Sequence, residues 1–270
     1  MDKFKGYLIC TDCDGTLTDG NGNLSEENAR AIKYFQDEGG LFTLATGRFP
    51  EHVNLFQDSL QINAPIVSLN GTVLYDVQNH KLINKWTMKK SDCQELLEYV
   101  NIHWRQVWEY WLNYTHHDSV GYKPMEYPLD DKSLAQLFDT LPEEMYKIVI
   151  VQPEEITPLI QQDLKEKFGD KFRLDTSWPN GLEIQNIHSG KGVAVQYMKE
   201  HLDVDIHTTV GIGDYENDIS LLECADIGYA VDNALLCVKN AADRITVSNN
   251  ESAIAKVIMD LETYMDKIER

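Results

Sequence analysis

The sequence predicts an α/β protein: a Rossmann-like parallel-sheet core with an inserted α/β domain. Three observations lead there. At both ends of the chain, short apolar runs alternate with stretches of helical period, the pattern of a parallel sheet flanked by helices. Between about residues 83 and 184 that alternation gives way to a mixed, tryptophan-bearing pattern. Several predicted strands also end in carboxylate or hydroxyl residues, where open α/β sheets present ligands. The expected division is a discontinuous core, residues 1–82 and 185–270, around an insert at 83–184.

Tyr7-Leu8-Ile9-Cys10 is a short apolar run that reads as a buried strand. Ser25-Glu26-Glu27 marks a helix start, with serine as cap and acids in the first turn. Ala29, Ile32 and Phe35 follow at helical spacing, and Gly39-Gly40 ends the helix. Leu41 to Ala45 is a second strand, running into Thr46-Gly47-Arg48. A helical stretch over about 51–60 leads through Pro65 to a third strand, Ile66 to Leu69. This order reads as the start of a parallel sheet. Asn70-Gly71 then stands between two β-rich runs, a strong hairpin signal.

Within the insert, Ser91-Asp92-Cys93-Gln94 predicts a capping box before a helix bearing Leu96, Leu97 and Val100. Strands are expected over 106–112, 145–151, 172–177 and 181–187, with a helix over 154–168. All five tryptophans lie in this span, and the reading favoured for most of them is core packing. After Ser189-Gly190-Lys191-Gly192 opens a helix, the strand from His207 to Ile212 ends in Gly213-Asp214-Tyr215-Glu216-Asn217-Asp218. A short helix through Ile219, Leu222 and Cys224 follows, then strands at 227–231 and 244–247. The last helix carries Ile254, Val257, Ile258, Leu261, Tyr264, Met265 and Ile268 on one face.

Composition narrows the function. A chain of 270 residues with 43% hydrophobic and 25% charged residues has the make-up of an ordinary globular protein. No apolar run approaches a membrane span. The polar Met1-to-Gly6 start runs straight into a strand, so no signal peptide is expected and the expected location is the cytosol. A net charge of −20 argues against nucleic acid or an anionic membrane as partner. Five scattered cysteines give no disulfide framework. Cys10 and Cys13 form a nominal C-x-x-C without a second pair at zinc spacing.

The chemistry lies at the strand ends. Asp12 and Asp14 follow the first strand two residues apart, and in extended chain such residues point to the same side. Taken alone, Asp12-Cys13-Asp14-Gly15 is also a common solvated turn. Two convergent carboxylates call for a metal, a shared proton or both. Thr46 ends the second strand; Asp214, with Asp218 just beyond, ends a later one; Lys191 opens a helix between them. If these converge, the carboxylates require a cation, and an all-oxygen site completed by a phosphoryl group suits Mg²⁺. Other motifs fail: Gly211-Ile212-Gly213 lacks the third glycine of a dinucleotide site, and Gly190-Lys191 is followed by Gly192 where a phosphate-cradling loop needs Ser or Thr. His116-His117 has no metal-protease frame.

Asp12-Cys13-Asp14-Gly15-Thr16-Leu17, Thr46-Gly47-Arg48, Lys191 and Gly213-Asp214-Tyr215-Glu216-Asn217-Asp218 together resemble the four ordered motifs of the haloacid dehalogenase-like phosphohydrolases. The large insert and Asn70-Gly71 resemble the Cof-type sugar-phosphatase branch. The resemblance implies that Asp12 attacks phosphorus and that Asp14 moves the protons. It implies that Thr46 and Lys191 bind the phosphoryl oxygens. Asp12, the Asp14 carbonyl and Asp214 would ligate Mg²⁺, supported by Asp218. Asn217, Gly47, Arg48, Asn70 and Gly71 would line the substrate. The insert would act as a cap that closes over the core and selects small substrates. Cys13 stands where the family more often has a bulky apolar residue, and its side chain is expected to turn into packing. Ser189-Gly190 before Lys191 departs from relatives with serine directly before the lysine, which puts the local loop in question. The expected partner is a small phosphate ester, and the expected state a monomer or weak homodimer. A phosphosugar mutase is the nearest alternative. A non-catalytic metabolite-binding module is the other, although it should have lost one of Asp12, Asp14, Lys191 or Asp214.

Overall fold

The structure, a computed structural model, describes residues 2–53, 60–116, 119–126 and 129–268. The chain divides into two compact units, Met1–Asn84 with Gly190–Arg270, and Lys85–Ser189.

The first unit is built on a parallel sheet of five strands. They are β1 (Tyr7–Thr11), β2 (Leu41–Leu44), β13 (Thr208–Gly213), β14 (Ile227–Ala230) and β15 (Arg244–Ile245), in the spatial order β15-β14-β13-β1-β2. Leu8, Ile9 and Cys10 are all buried, so β1 is covered on both faces, as a central parallel strand must be. Helix α1 (Glu26–Asp37) starts where the sequence places it: the Ser25 hydroxyl accepts from the Asn28 N–H at 3.1 Å. The C-terminal helix α8 (Ala253–Ile268) packs on α1, and the Ala255 N–H donates to Asn28 Oδ1 at 3.0 Å. Its Ile254, Val257, Ile258 and Leu261 are buried as expected, while Tyr264 is exposed. Two further helices, α5 (Lys191–His201) and α6 (Ile219–Cys224), flank β13 in sequence, and α7 (Leu236–Ala241) follows β14.

The third strand departs from the sequence reading. β3 (Ile66–Ser68) is not a full member of the parallel sheet. It pairs antiparallel with β4 (Val73–Asp76) in a separate sheet completed by β5 (Lys81–Lys85). A single parallel bridge, Ala45 to Val67, ties it to the end of β2. The hairpin signal at Asn70-Gly71 is real, but the turn is wider than a two-residue loop. Leu69, Asn70 and Gly71 take φ values of 48°, 55° and 91°. The Leu69 and Asn70 N–H groups bond backwards, to Arg48 O at 3.1 Å and Thr46 O at 2.9 Å, and this fixes the wider form. Of the helix expected over 51–60, residues 50–53 are helical and 54–59 lie outside the described residues.

The second unit carries an antiparallel sheet in the order β11-β12-β10-β7-β8, formed by β7 (Glu109–His116), β8 (Ser119–Glu126), β10 (Lys147–Val151), β11 (Phe172–Trp178) and β12 (Gly181–Asn186). Helices α2 (Lys90–His103), α3 (Asp131–Thr140) and α4 (Thr157–Phe168) share one apolar core with it, including Leu96, Leu97, Leu137, Ile148, Ile150, Leu164 and Ile184. A short pair, β6 (Met88–Lys89) with β9 (Glu144–Met145), completes the unit. The capping box at Ser91 does not form: the helix already begins at Lys90, whose N–H is met by Glu143 O at 3.1 Å. The tryptophans do not fill the core either. Trp108 and Trp111 are 53% and 36% exposed. Trp104 is half-buried: it packs against the apolar core, and its indole N–H donates to Asp163 Oδ2 at 2.6 Å. Branched aliphatic residues pack the sheet–helix interface in their place. His117 of the His116-His117 pair lies outside the described residues. Among the described residues, no helix is long and apolar enough to cross a membrane.

Candidate active site

Sheet order brings the strand-end residues together. β1 lies between β13 and β2, and the Asp12 N–H bonds to Ile212 O at 2.9 Å. The chain then leaves through a wide turn, closed by Thr18 N–H to Cys13 O at 3.0 Å. Gly15 takes φ +81° there, and a Cβ on it would lie 2.6 Å from Asp214 Oδ2. Both its conformation and the nearness of Asp214 therefore require glycine. Cys13 is fully buried in the apolar core, its side chain turned into packing.

Lys191 is the centre of the charge arrangement. Its ammonium is completely buried, 2.6 Å from Asp12 Oδ1 and 2.5 Å from Asp218 Oδ1. The other Asp218 oxygen accepts from the N–H groups of Asp214, at 2.9 Å, and Tyr215, at 3.1 Å. Asp218 thus spends one oxygen on the lysine and the other on the loop that carries Asp214. Gly213 makes room for it, since a Cβ there would meet the Asp218 side chain at 2.3 Å. The Thr16 hydroxyl donates to Asp214 Oδ1 at 2.6 Å.

Asp14 stands apart from this group. Its carboxylate is paired side-on with one edge of the Arg48 guanidinium, with Nε at 2.9 Å and Nη2 at 2.6 Å. Such a bidentate pair fixes the orientation of the Asp14 carboxyl. Thr46 is buried where β2 meets β3; its N–H donates to Val67 O at 2.8 Å and its hydroxyl accepts from the Arg48 N–H at 3.2 Å. Asn217 Nδ2 donates to Asn70 Oδ1 at 3.1 Å, and Gly47 lies against the same Asn70 amide.

Burial pushes the Asp12 carboxyl well above the usual carboxylate range; Lys191 opposes the rise, and Asp218 and Asp214 add to it. Burial works against the Lys191 ammonium, but Asp12 and Asp218 outweigh it and hold its pKa above that of an ordinary lysine. Burial, reinforced by Asp218, raises Asp214 to about 7. One ammonium cannot neutralise three carboxylates in so little water, and the remaining charge favours a proton or a second cation. Ligand oxygens of Asp12, Asp214 and Asp218 lie within 4.8 Å of one another, so the donor set fits a hard divalent ion. The Asp14 carboxylate is not in that group.

The structure therefore gathers Asp12, Lys191, Asp214 and Asp218 in one cluster, and joins Asp14 to Arg48, and Asn70 to Asn217, beside Thr46 and Gly47. The Ser189-Gly190 departure does not keep the lysine from its partners. Sequence reasoning missed two contributors. Thr16 had a signal, a hydroxyl four residues after the first aspartate. Asn233, whose Nδ2 holds Gly15 O at 2.8 Å, had none, because its partner is 218 residues away. Gly190, named in the sequence as a departure, takes φ +141°, and its carbonyl is the nearest atom to where a Gly71 Cβ would sit, a contact with no sequence signal.

The α/β core thus gathers acidic strand ends around a buried lysine, where open α/β sheets present ligands. Residues 9–258 match the family described as haloacid dehalogenase-like hydrolase, and the chain belongs to that family. Among curated relatives, the 5-amino-6-(5-phospho-D-ribitylamino)uracil phosphatase YitU of Bacillus subtilis is 26% identical over 266 residues, covering 95% of this chain and 97% of the relative. Among solved structures, SMU.1108c from Streptococcus mutans superimposes with a TM-score of 0.78 at 22% identity, covering 95% of this chain and 98% of that one. The subclass IIB sugar phosphatase BT4131 gives 0.77 at 19% identity, covering 95% and 99%. At these identities the two structures establish the shared fold.

Proposed function

We propose that this protein is a Mg²⁺-dependent phosphatase that hydrolyses small phosphorylated metabolites, with sugar and polyol phosphates as the leading class. The observation that carries the reading is the position of Asp12. It is a carboxylate at the end of the central strand, held at 2.6 Å by a fully buried lysine and flanked by two further carboxylates. The activity names of YitU and BT4131 point to the same class.

In this mechanism an Asp12 oxygen attacks phosphorus and the ester oxygen leaves with a proton from Asp14, giving an aspartyl-phosphate and the free alcohol. Asp14, now ionised, takes a proton from a water whose oxygen attacks phosphorus. The acyl-phosphate bond breaks, phosphate departs, and Asp12 is restored. A carboxylate is a competent nucleophile when held in line with phosphorus. Lys191, already fixed beside Asp12, supplies positive charge to the phosphoryl oxygens, and Thr46 supplies a hydroxyl donor. Arg48 holds Asp14 in place between turnovers, and the pair opens when the ester binds so that the Asp14 carboxyl can carry the proton. Asp12, Asp214 and the Asp14 carbonyl would hold Mg²⁺, with Asp218 bracing them; when bound, the ion neutralises phosphoryl charge.

The test is phosphate release from a panel of sugar, polyol and nucleotide monophosphates, each with Mg²⁺ and with EDTA. Mg²⁺-dependent release, strongest for sugar or polyol esters, is expected. No release from any ester in the presence of Mg²⁺ contradicts the reading.

A further inference from the structure

We infer that the Asn70-Gly71 turn is a brace for the catalytic lysine, and that Gly71 is a positioning residue acting through Lys191. The inference rests on the phosphatase reading for its kinetic arm only. The turn is tied into the site at several points. Its Leu69 and Asn70 N–H groups bond to Arg48 O and Thr46 O. Its Asn70 Oδ1 takes the Asn217 amide at 3.1 Å. Gly71, at φ +91°, then lays its Cα directly against the start of α5. A Cβ at this position would lie 2.1 Å from Gly190 O, 2.2 Å from Gly190 C and 2.6 Å from Lys191 N.

These are backbone atoms, which cannot swing aside as a flexible side chain can. The 190–191 peptide would have to recede by roughly an ångström or more to reach ordinary contact. That peptide is the first link of the lysine whose ammonium must reach Asp12 and Asp218 together. Gly190 itself has φ +141°, a conformation that L side chains rarely adopt, so both sides of the contact are glycine. The turn thereby sets three strand-end segments against one another: Thr46-Gly47-Arg48, the Lys191 helix start and the Asn217 loop. Asn70 and Gly71 belong to the site as its alignment.

The experiment compares Gly71→Ala with Gly39→Ala. Gly39 also has positive φ, +89°, but a Cβ there meets nothing nearer than 3.4 Å, so it reports the cost of the backbone conformation alone. The first readout is acylation of Lys191 by a small amine-reactive ester, quantified by peptide mass spectrometry. Lys191 is protected in the wild type and in Gly39→Ala, and becomes reactive in Gly71→Ala. The second is kinetics with p-nitrophenyl phosphate and Mg²⁺. A misplacement of this size is expected to lower kcat by about 100-fold with KM nearly unchanged, and only in Gly71→Ala. Where Gly71→Ala does not fold, Asn70→Ala, which adds no bulk against the 190–191 peptide, loosens the turn from Asn217 and raises Lys191 labelling by a smaller factor. Unchanged Lys191 labelling in the folded variant overturns the brace, as does equal labelling and equal kcat loss in Gly39→Ala. If the wild type hydrolyses no ester, the functional reading fails and the labelling arm still decides the brace.

Discussion

Lys191 Nζ stands 2.6 Å from Asp12 Oδ1 with no part of the lysine side chain exposed to solvent. Its charge is the counter-charge for a carboxylate cluster that burial makes costly. Removing one partner of a buried pair typically costs about 3–5 kcal/mol, because the other charge is left uncompensated. Lys191→Met should therefore lower the stability of the metal-free protein by that order, as read from urea denaturation. Mg²⁺ should restore part of the loss.

The proposed roles of the two aspartates separate by magnitude. Asp12→Asn removes the nucleophile and should abolish turnover. Asp14→Asn removes a proton donor and acceptor, an effect typically of about 10²–10⁴-fold on kcat. Initial-rate measurements on any good substrate check both. Full activity in Asp12→Asn contradicts the mechanism.

Asp214 predicts a pH signature in the metal-free protein. Its folded pKa, about 7, lies above the unfolded value, so the folded state holds the proton more tightly. That contribution to stability is fully present below the unfolded pKa and is lost as pH rises through about 7. With EDTA present, the melting temperature of the wild type should fall between pH 6 and pH 8 more than that of Asp214→Asn. A bound cation replaces the proton, so Mg²⁺ should stabilise more at pH 8 than at pH 6. Saturation at a hundred times Kd is worth about 2.7 kcal/mol. Identical pH profiles for wild type and Asp214→Asn contradict the assignment.

Ser25 gives a prediction about the fold alone. Its hydroxyl caps α1 through the Asn28 N–H and meets the Ser252 hydroxyl at 2.9 Å. Ser25→Ala should cost about 1 kcal/mol in denaturation experiments, with kcat unchanged.

The sequence made the parallel core readable because β1, β2, β13 and β14 are short runs that avoid charged residues, as strands buried on both faces must. The strand ends were readable for the same reason: once the strands are placed, Asp12, Thr46 and Asp214 follow. Local signals failed where a distant partner decides the structure. β3 reads like another parallel strand, but its pairing with β4 and the back-bonded turn at Leu69 and Asn70 move it out of the sheet. Ser91 has the residues of a capping box, but a backbone carbonyl from Glu143 lets the helix begin earlier. Tryptophan content suggested an aromatic core in the insert, whereas Ile148, Ile150 and Ile184 fit the sheet–helix interface, Trp108 and Trp111 are exposed, and the other three are half-buried. The close approach of Gly71 to Gly190 left no mark beyond two glycines, because it joins segments 119 residues apart in the sequence.

The most direct test of the central claim is to stop turnover with acid and locate the phosphoryl group. The protein is mixed with Mg²⁺ and a hydrolysed ester, quenched within the first turnovers, digested and examined by mass spectrometry. The proposed mechanism predicts one phosphoryl group on the peptide containing Asp12, carried by Asp12 itself and absent from Asp12→Asn. Rapid hydrolysis with Asp12 unmodified at every quench time, or a phosphoryl group on another residue, contradicts it.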